Sequence, residues 1–424
     1  MKFYIETYGC AANKNDSEIM VKLLIDAGFT ISNLQDADLI IINTCTVKQA
    51  TKSKMIERIK FLSSLNKPLI VAGCFPKVET KRVEKINPKA SLIGPNAIDK
   101  IVEVAKKTLN REKVVILEGS VNKATLPSYR LNPIIEIVQI SSGCLSACTF
   151  CITRFSRGML KSYRIGDIKR KIEDAVKSGA KEIWITSQDN SAYGRDIGTN
   201  LIELLEEIVK VEGKFWIRVG MMNPLHFKKI EVEKLAEIFK NKKIFKFLHI
   251  PVQSGSNKVL KDMKRGYTVE EFLDWVKTFR KKIRKITIST DIIVGFPTET
   301  EKDFEETVEL LRKLKPDVVN LSKFSLHHQT EASKFKQLNS KIIDERSKFL
   351  TKIIREILER KNKKWKNWKG IALVDEKVKN GFVARNIYYK PIFLKNANFG
   401  EFVKVKIEET FPTFLMGKLF NKLF

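Results

Sequence analysis

At 424 residues the chain has room for two or three domains, and its 43% hydrophobic content is ordinary for a globular protein. Its net charge of +29 is not ordinary and implies a polyanionic partner, most simply nucleic acid, with an acidic membrane surface as the alternative. The stretch Met1–Thr7 has no long apolar core and no small-residue cleavage site, which excludes a signal peptide. Runs such as Leu39–Ile42 are too short to span a bilayer, so a cytoplasmic protein without a membrane segment is expected. Disulfides are rare in that compartment, and six Cys in two groups of three therefore ask for a metal explanation.

In residues 1–112 short apolar runs alternate with helical patterns. Phe3–Tyr8 reads as a strand and Ser17–Ala27 as a helix, capped by Asn15, Asp16 or Ser17 and stopped at Gly28. Phe29–Ile31 and Asp38–Asn43 follow as strands, Val47–Leu65 as a helix, Leu69–Ala72 as a strand and Val78–Ile86 as a helix. The alternation predicts a parallel, doubly wound sheet. Cys10 follows the first strand, Cys45 the third and Cys74 the fourth, so all three lie at strand carboxyl ends, where open α/β sheets bind ligands. A flavodoxin-like strand order, 2-1-3-4, makes those strands neighbours and gathers the thiols into a three-Cys metal centre. The plain alternative is three unrelated loop cysteines.

A linker around Leu126–Ser128 leads into residues 130–363, which hold six strand–helix repeats with strands at 134–140, 181–187, 214–220, 245–250, 285–294 and 318–324. Six units are too few for a closed eight-fold barrel and predict a partial (β/α)6 barrel, with its functional loops at the strand carboxyl ends. The first loop carries Cys144, Cys148 and Cys151, spaced C-x3-C-x2-C, with no fourth Cys close in sequence. So short a loop wraps three sulfurs around one metal centre. Three ligands on a cube of four irons leave one iron open to substrate. A zinc site with a distant fourth ligand and three core cysteines are the blander alternatives. Strand two leads to Thr186–Gly194, strand three to Gly220–Pro224 and strand four to His249–Ser256. Asp291, a polar residue inside the fifth strand, needs either a ligand or a buried hydrogen bond. The sixth loop holds His327 and His328; two histidines in a loop are more often solvated or bound to backbone than metal-ligating.

The basic amphipathic helix Asp344–Lys364 leads into the last segment, 364–424. Ile371–Val374, Gly381–Arg385 and Phe402–Ile407 read as strands, closed by Phe411–Leu419. From Lys361 onward there are 14 Lys and Arg against five Asp and Glu. A small basic β-barrel suits RNA through phosphate pairing and base stacking, and Arg385, Tyr388 and Lys390, which fall together between strands, are the expected contacts. The alternative is a merely solvated charged face.

The cysteine loop, with Phe150 just before its last Cys and the apolar run Ile134–Ile140 ahead of it, resembles the signature of the radical S-adenosylmethionine (SAM) enzymes. Thr7–Cys10, Asn13, Asn43–Val47 and Ala72–Cys74 resemble the N-terminal domain of the methylthiotransferases, and Arg157–Gly158 and Met263–Arg265 extend the likeness. Thr186–Asp189, Tyr193–Gly198 and Arg218–Pro224 are similar to the archaeal and eukaryotic branch, which acts on N6-threonylcarbamoyladenosine at position 37 of tRNA. The tail resembles the TRAM domain, an RNA-binding barrel, and the membrane tail of some eukaryotic relatives is not expected after it.

The resemblance implies two 4Fe–4S clusters. Cys144, Cys148 and Cys151 would hold the cluster that binds SAM and generates a radical; Cys10, Cys45 and Cys74 would hold one linked to sulfur transfer. It implies SAM as radical source and methyl donor, with Phe150, Ser187, Gln188, Asp189, Gln253 and Asp291 around it and Arg265 near the active site. A radical generator fits the target, because the adenine C2–H is not acidic enough for a side-chain base. Implied partners are the tRNA anticodon loop and a reduced flavodoxin or ferredoxin. Arg157 and Lys161, at the expected barrel mouth, are further RNA candidates. One departure stands out: Ser325–Thr330 replaces the family's Ser-Pro-Arg-Pro-Gly-Thr run, which leaves the substrate contacts of that loop open. Two rivals are a methylthiotransferase for isopentenyladenosine or a ribosomal-protein aspartate, and a non-enzymatic RNA-binding protein holding zinc.

Overall fold

The computed structural model describes residues 1–46 and 49–420. The N-terminal sheet is parallel throughout, with strands Lys2–Thr7, Thr30–Ile31, Leu39–Thr44, Leu69–Gly73, Ser91–Ile93 and Val115–Ile116. In chain numbering their order is 2-1-3-4-5-6, so the expected 2-1-3-4 core is present and two further strands extend it past residue 112. The third strand shows why the sheet is covered on both faces. Leu39 and Ile41 face one helical layer, whereas Ile40 and Ile42 face the other, as a two-residue period requires when both sides are apolar. The helix expected from Val47 runs over Gln49–Ser64; Val47 itself lies outside the described residues.

The first helix departs from expectation. It spans Ala11–Asp26 and so begins six residues before Ser17. Asn15, Asp16 and Ser17 do not cap it but are buried within it. Ser17 Oγ, for example, accepts from Asn43 Nδ2 at 2.9 Å and from Thr7 Oγ1 at 2.6 Å. Polar residues near a helix start read as caps only when their partners are local; here the partners come from other elements.

The six barrel strands lie at Ile135–Gln139, Glu182–Thr186, Trp216–Val219, Phe247–His249, Thr287–Val294 and Val318–Lys323. Strands one to three form one parallel sheet and strands four to six another. The parallel bridge Ile217–Ile244 and the bond from Met222 N to His249 O (3.0 Å) join them. Among the described residues no pairing joins strand six to strand one, so the barrel is partial. One large core, from Val138 through Ile185, Phe239 and Ile292 to Leu358, fills the space between strands and outer helices.

The tail is a closed five-stranded barrel, in the order Lys369–Val378, Gly381–Asn386, Pro391–Leu394, Leu415–Leu419, Phe402–Thr410. The short strand Pro391–Leu394 carries no sequence signal of its own, since Pro391 opens it and a strand's first position tolerates the missing N–H. This small barrel stoppers the bottom of the large one. Leu373 packs against Ile134, Ile135 and Ile137, with Trp184, Trp216 and Phe402 around them. Tyr389 sits edge-on to Phe245 at 4.8 Å, Lys246 N donates to Ile387 O (2.7 Å), and Thr287 Oγ1 donates to Tyr388 O (2.6 Å).

That docking gives partners within the protein to the three tail residues expected to meet RNA. Lys390 is buried and pairs with Asp317 at 3.3 Å, just before the sixth barrel strand. Arg385 pairs at 2.6 Å with the fully buried Asp375 beside Glu182. The Tyr388 ring packs on Trp365 at 5.2 Å. Their charge and aromatic character serve the joint between the barrels, because a desolvated cation holds its charge only beside a counter-charge.

Leu373→Ala is expected to cost about 2–5 kcal/mol, the range for emptying a fully buried leucine site. Thermal unfolding should show the tail and large barrel losing stability together. A drop confined to the tail would mean that the stopper is independent.

Candidate active site

The loop Ser142–Cys151 leaves the first barrel strand at the mouth of the large barrel. Gly143 adopts φ +80°, and a Cβ there would lie 1.9 Å from Met159 O, so this turn requires glycine. Its N–H donates to Gln188 Oε1 (2.7 Å), while Cys144 N donates to Gly158 O (3.1 Å). The far side is fixed by Thr149, whose N–H reaches Met263 O (3.2 Å) and whose hydroxyl reaches Asp262 O (2.9 Å). Arg265 Nη1 donates to Cys148 Sγ at 3.2 Å, with its other nitrogens on Pro251 O and the Tyr267 hydroxyl. All three thiols are free and half-buried. Burial, with Asp189 nearby, pushes the Cys144 thiol up to about 12, and burial followed by Cys148 raises Cys151. Burial thus disfavours the thiolates of Cys144 and Cys151, and metal binding would have to release their protons.

A cavity of about 250 Å³ opens beside this loop, lined by Phe150, Gln253, Asp291, Asn320, Lys323 and His327. Asp291 Oδ1 accepts from Asn320 Nδ2 at 2.7 Å and meets His249 Nε2 at 2.9 Å, so both readings of Asp291 hold at once: it is hydrogen-bonded and it faces the cavity. Ser187, Gln188 and Asp189 behave differently from Phe150, Gln253 and Asp291. Gln188 braces the cysteine loop through Gly143 N, Asp189 reaches it through His226, Ser187 accepts from Asp189 N at 3.1 Å, and all three lie outside that cavity lining. Asp189, almost fully buried, accepts from Ser191 N and Asn223 N, each at 3.0 Å. The two histidines of the sixth loop diverge, His327 being buried at the cavity and His328 exposed.

Sequence reasoning missed His226. It follows Pro224 in the third loop without any motif of its own. Arg195 Nη1 sits 2.9 Å from His226 Nδ1, and because Arg can only donate, Nδ1 accepts and Nε2 carries the proton. That Nε2 points at Asp189 Oδ2 (3.2 Å) and Ser146 Oγ (3.4 Å), the latter inside the cysteine loop. Burial first, then the surrounding cations, keeps His226 below its ordinary value and neutral.

The second cysteine group converges at the carboxyl ends of strands one, three and four of the N-terminal sheet. Cys10 precedes the first helix, Cys45 follows the third strand, and Cys74 opens the short helix Cys74–Val78. Asn13 Oδ1 lies 3.9 Å from both Cys10 Sγ and Cys74 Sγ. Gly9, at φ +116°, backs onto Cys45: a Cβ there would stand 2.7 Å from Cys45 Cβ and 3.2 Å from its sulfur. Three free thiols and an adjoining glycine cradle suit a thiolate-held iron–sulfur cluster. Among the described residues no His, Cys, Asp and Glu group stands close enough for a single metal ion, and a four-iron cube spreads its thiolates wider.

The two groups are neighbours. The helix that begins at Cys74 packs on the helix Thr153–Arg157, which follows Cys151. Asn96 ties them further, donating to Arg157 O (3.0 Å) and accepting from Ser142 Oγ (2.8 Å). Arg157 itself is buried and donates to Asn13 Oδ1 and Asp16 Oδ2, each at 2.7 Å, so it cannot meet RNA at the surface. Lys161 remains exposed, with its ammonium on Ser120.

Three family models match the chain: "Radical SAM superfamily" over residues 138–311, "Uncharacterized protein family UPF0004" over 2–94 and "TRAM domain" over 364–420. A Pyrococcus abyssi protein named "Probable threonylcarbamoyladenosine tRNA methylthiotransferase" is 42% identical over 99% of this chain and 100% of its own length. The Homo sapiens "Threonylcarbamoyladenosine tRNA methylthiotransferase" is 36% identical over 98% of this chain and 74% of its own. Among solved structures, the radical S-adenosylmethionine methyltransferase TsrM from Kitasatospora setae aligns with a TM-score of 0.55 at 15% identity, over 78% of this chain and 76% of that one, which speaks to fold alone.

Gly143→Ala is expected to strip iron from the mouth loop, down to the level of a Cys144→Ala, Cys148→Ala, Cys151→Ala variant, while far-ultraviolet circular dichroism stays unchanged. Full iron loading in the alanine variant would show that the turn is not needed to gather the thiols.

Proposed function

The chain belongs to the threonylcarbamoyladenosine tRNA methylthiotransferase family of radical SAM enzymes, and from that premise we propose that it converts N6-threonylcarbamoyladenosine at tRNA position 37 to its 2-methylthio derivative with two 4Fe–4S clusters. The observation that carries the two-cluster reading is the adjacency of two separate groups of three free thiols, joined through the Cys74 and Thr153–Arg157 helices.

When bound, the clusters and SAM supply one-electron cleavage, sulfur and methyl; the protein supplies position and electrostatics. Cys144, Cys148 and Cys151 would hold the SAM-binding cluster and Cys10, Cys45 and Cys74 the sulfur-transfer cluster. Arg265, donating to Cys148 Sγ, offsets thiolate charge at the first. Phe150, Gln253 and Asp291 offer one apolar and two polar surfaces to the ligands of the mouth cavity. His226, kept neutral first by burial and oriented by Arg195, keeps Asp189 and Ser146 fixed and so preserves the shape of the loop. A reduced flavodoxin or ferredoxin in the cytoplasm would provide electrons; among the described residues no helix is long and apolar enough to cross a membrane.

For tRNA contact we turn from the buried tail residues to the outer wall of the small barrel. Lys369 pairs in register with Lys406, Lys406 with Lys418, and Lys404 stands next along the same strand face. Like charges directly opposite one another across strands destabilise a sheet, so such a row favours a polyanion that neutralises it. Lys418 has one local counter-charge, Glu408 at 2.5 Å.

Anaerobically reconstituted protein is expected to hold about eight irons per chain, and the Cys144→Ala, Cys148→Ala, Cys151→Ala variant about half. Mass spectrometry of nucleosides should find the methylthio group only on tRNA that carries threonylcarbamoyl; product on isopentenyladenosine instead would move the enzyme to another branch.

Lys369→Glu, Lys406→Glu, Lys418→Glu is expected to weaken tRNA binding and to reduce the salt slope of the affinity by about three units, one per phosphate contact. Unchanged affinity across several salt concentrations would shift attention to the mouth around Lys161.

A further inference from the structure

Arg157, Asp16 and Lys123 form a charged cluster that the proposed chemistry leaves unexplained. Their side chains are 2%, 1% and 0% exposed, and they come from three different parts of the chain: the barrel, the first helix of the N-terminal domain and the segment between the domains. Lys123 Nζ lies 2.5 Å from Asp16 Oδ1 and Arg157 Nη2 lies 2.7 Å from Asp16 Oδ2. Gln139, at the end of the first barrel strand, donates to Asp16 Oδ1 at 2.8 Å. Two cations thus surround one carboxylate in a dry interior, a net positive charge that needs a further anion nearby.

Asn13 shows where that anion belongs. Its Nδ2 donates to Tyr8 O (2.9 Å) and Thr44 O (2.7 Å), the backbone just ahead of Cys10 and Cys45, which fixes the direction of its Oδ1. That one oxygen accepts from Arg157 Nη2 and lies 3.9 Å from the sulfurs of Cys10 and Cys74. Burial works against the Arg157 charge, yet Asp16, then Cys74 and Cys10, hold it well above its ordinary value.

We propose that Arg157 is a positioning residue of the sulfur-transfer site, orienting Asn13 between Cys10 and Cys74 and supplying the positive potential that steadies the anionic cluster there. This rests on the reading that Cys10, Cys45 and Cys74 hold a cluster. Reduction adds negative charge to a thiolate-held cluster, and a fixed neighbouring cation favours the reduced form. Loss of the Arg157 charge should therefore lower the reduction potential, whereas loss of the Asp16 charge should raise it. Neutralising both should return the potential toward the parent value. A purely structural role has no reason to yield opposite signs.

The test uses full-length protein carrying Cys144→Ala, Cys148→Ala and Cys151→Ala, so that the remaining iron is at the second site. Arg157→Gln, Arg157→Lys, Asp16→Asn and the Arg157→Gln/Asp16→Asn pair are compared by iron content and by one-electron redox titration followed by electron paramagnetic resonance. If the parent triple variant binds no iron, the two-cluster reading fails before this proposal is reached. With iron bound, the expected result is a lower potential for Arg157→Gln, a higher one for Asp16→Asn and a near-parent value for Arg157→Lys. Should Arg157→Gln lose its iron, retention by Arg157→Lys supports the charge role and equal loss by both overturns it. Shifts of the same sign for Arg157→Gln and Asp16→Asn, or no shift, also overturn it.

Discussion

Asp16 sits between Lys123 and Arg157 with no access to water, and the joint between the N-terminal domain and the barrel depends on that arrangement. A lone buried carboxylate would take up a proton or unfold its surroundings. Burial alone would raise the Asp16 pKa, but Arg157 and Lys123 more than reverse that and hold the carboxyl below its ordinary range. The cations suffer in turn, and burial pushes the Lys123 ammonium down to about 8 despite Asp16. Neither domain can keep these charges without the other. An ion cluster of this kind is a poor source of stability and a good source of register, because only one docking of the two domains satisfies every group.

That register has a chemical consequence. Cys74 begins a helix in one domain, and the helix after Cys151 belongs to the other; their packing sets the distance between the two thiol groups. On the proposed two-cluster reading, a transfer that needs both groups at one substrate atom can tolerate little sliding between domains. Asn96, which touches both Arg157 O and Ser142 Oγ, adds a second tie on the same side of the mouth.

The opposite end of the barrel meets a different constraint. Among the described residues strands six and one do not pair, and the tail barrel packs against the bottom of the open barrel. Trp184, Trp216, Phe245 and Phe247 would face solvent there, and the tail barrel covers them with Leu373, Tyr389 and Phe402. Arg218 stacks on Trp184, Phe247 and Tyr389 together, at 5.2 to 5.4 Å from each ring, so a cation takes part in the seal. The small barrel is thereby two-sided, with an inner wall serving the fold and an outer wall carrying the lysine row.

The sequence alone located most of the elements and both cysteine groups. Every barrel strand lies where its predominantly apolar run predicts, because a strand packed between lumen and outer helices is mostly apolar. The cysteine loops stand at strand ends, because side chains held by a rigid sheet can point only there. Tertiary structure decided what the charges do. Arg157, Arg385 and Lys390 read as RNA contacts because an isolated cation in a basic chain looks exposed. Arg157 and Lys390 are instead buried against carboxylates distant in sequence, Asp16 at 141 residues' separation and Asp317 in another domain, while the half-buried Arg385 pairs with Asp375 across a hairpin. His226 was illegible for the same reason, since its partners Arg195, Asp189 and Ser146 come from different loops. Hydrophobic periodicity is a local property and can be read along a chain. The partner of a buried charge is a property of the folded contact, and only the fold brings the two together.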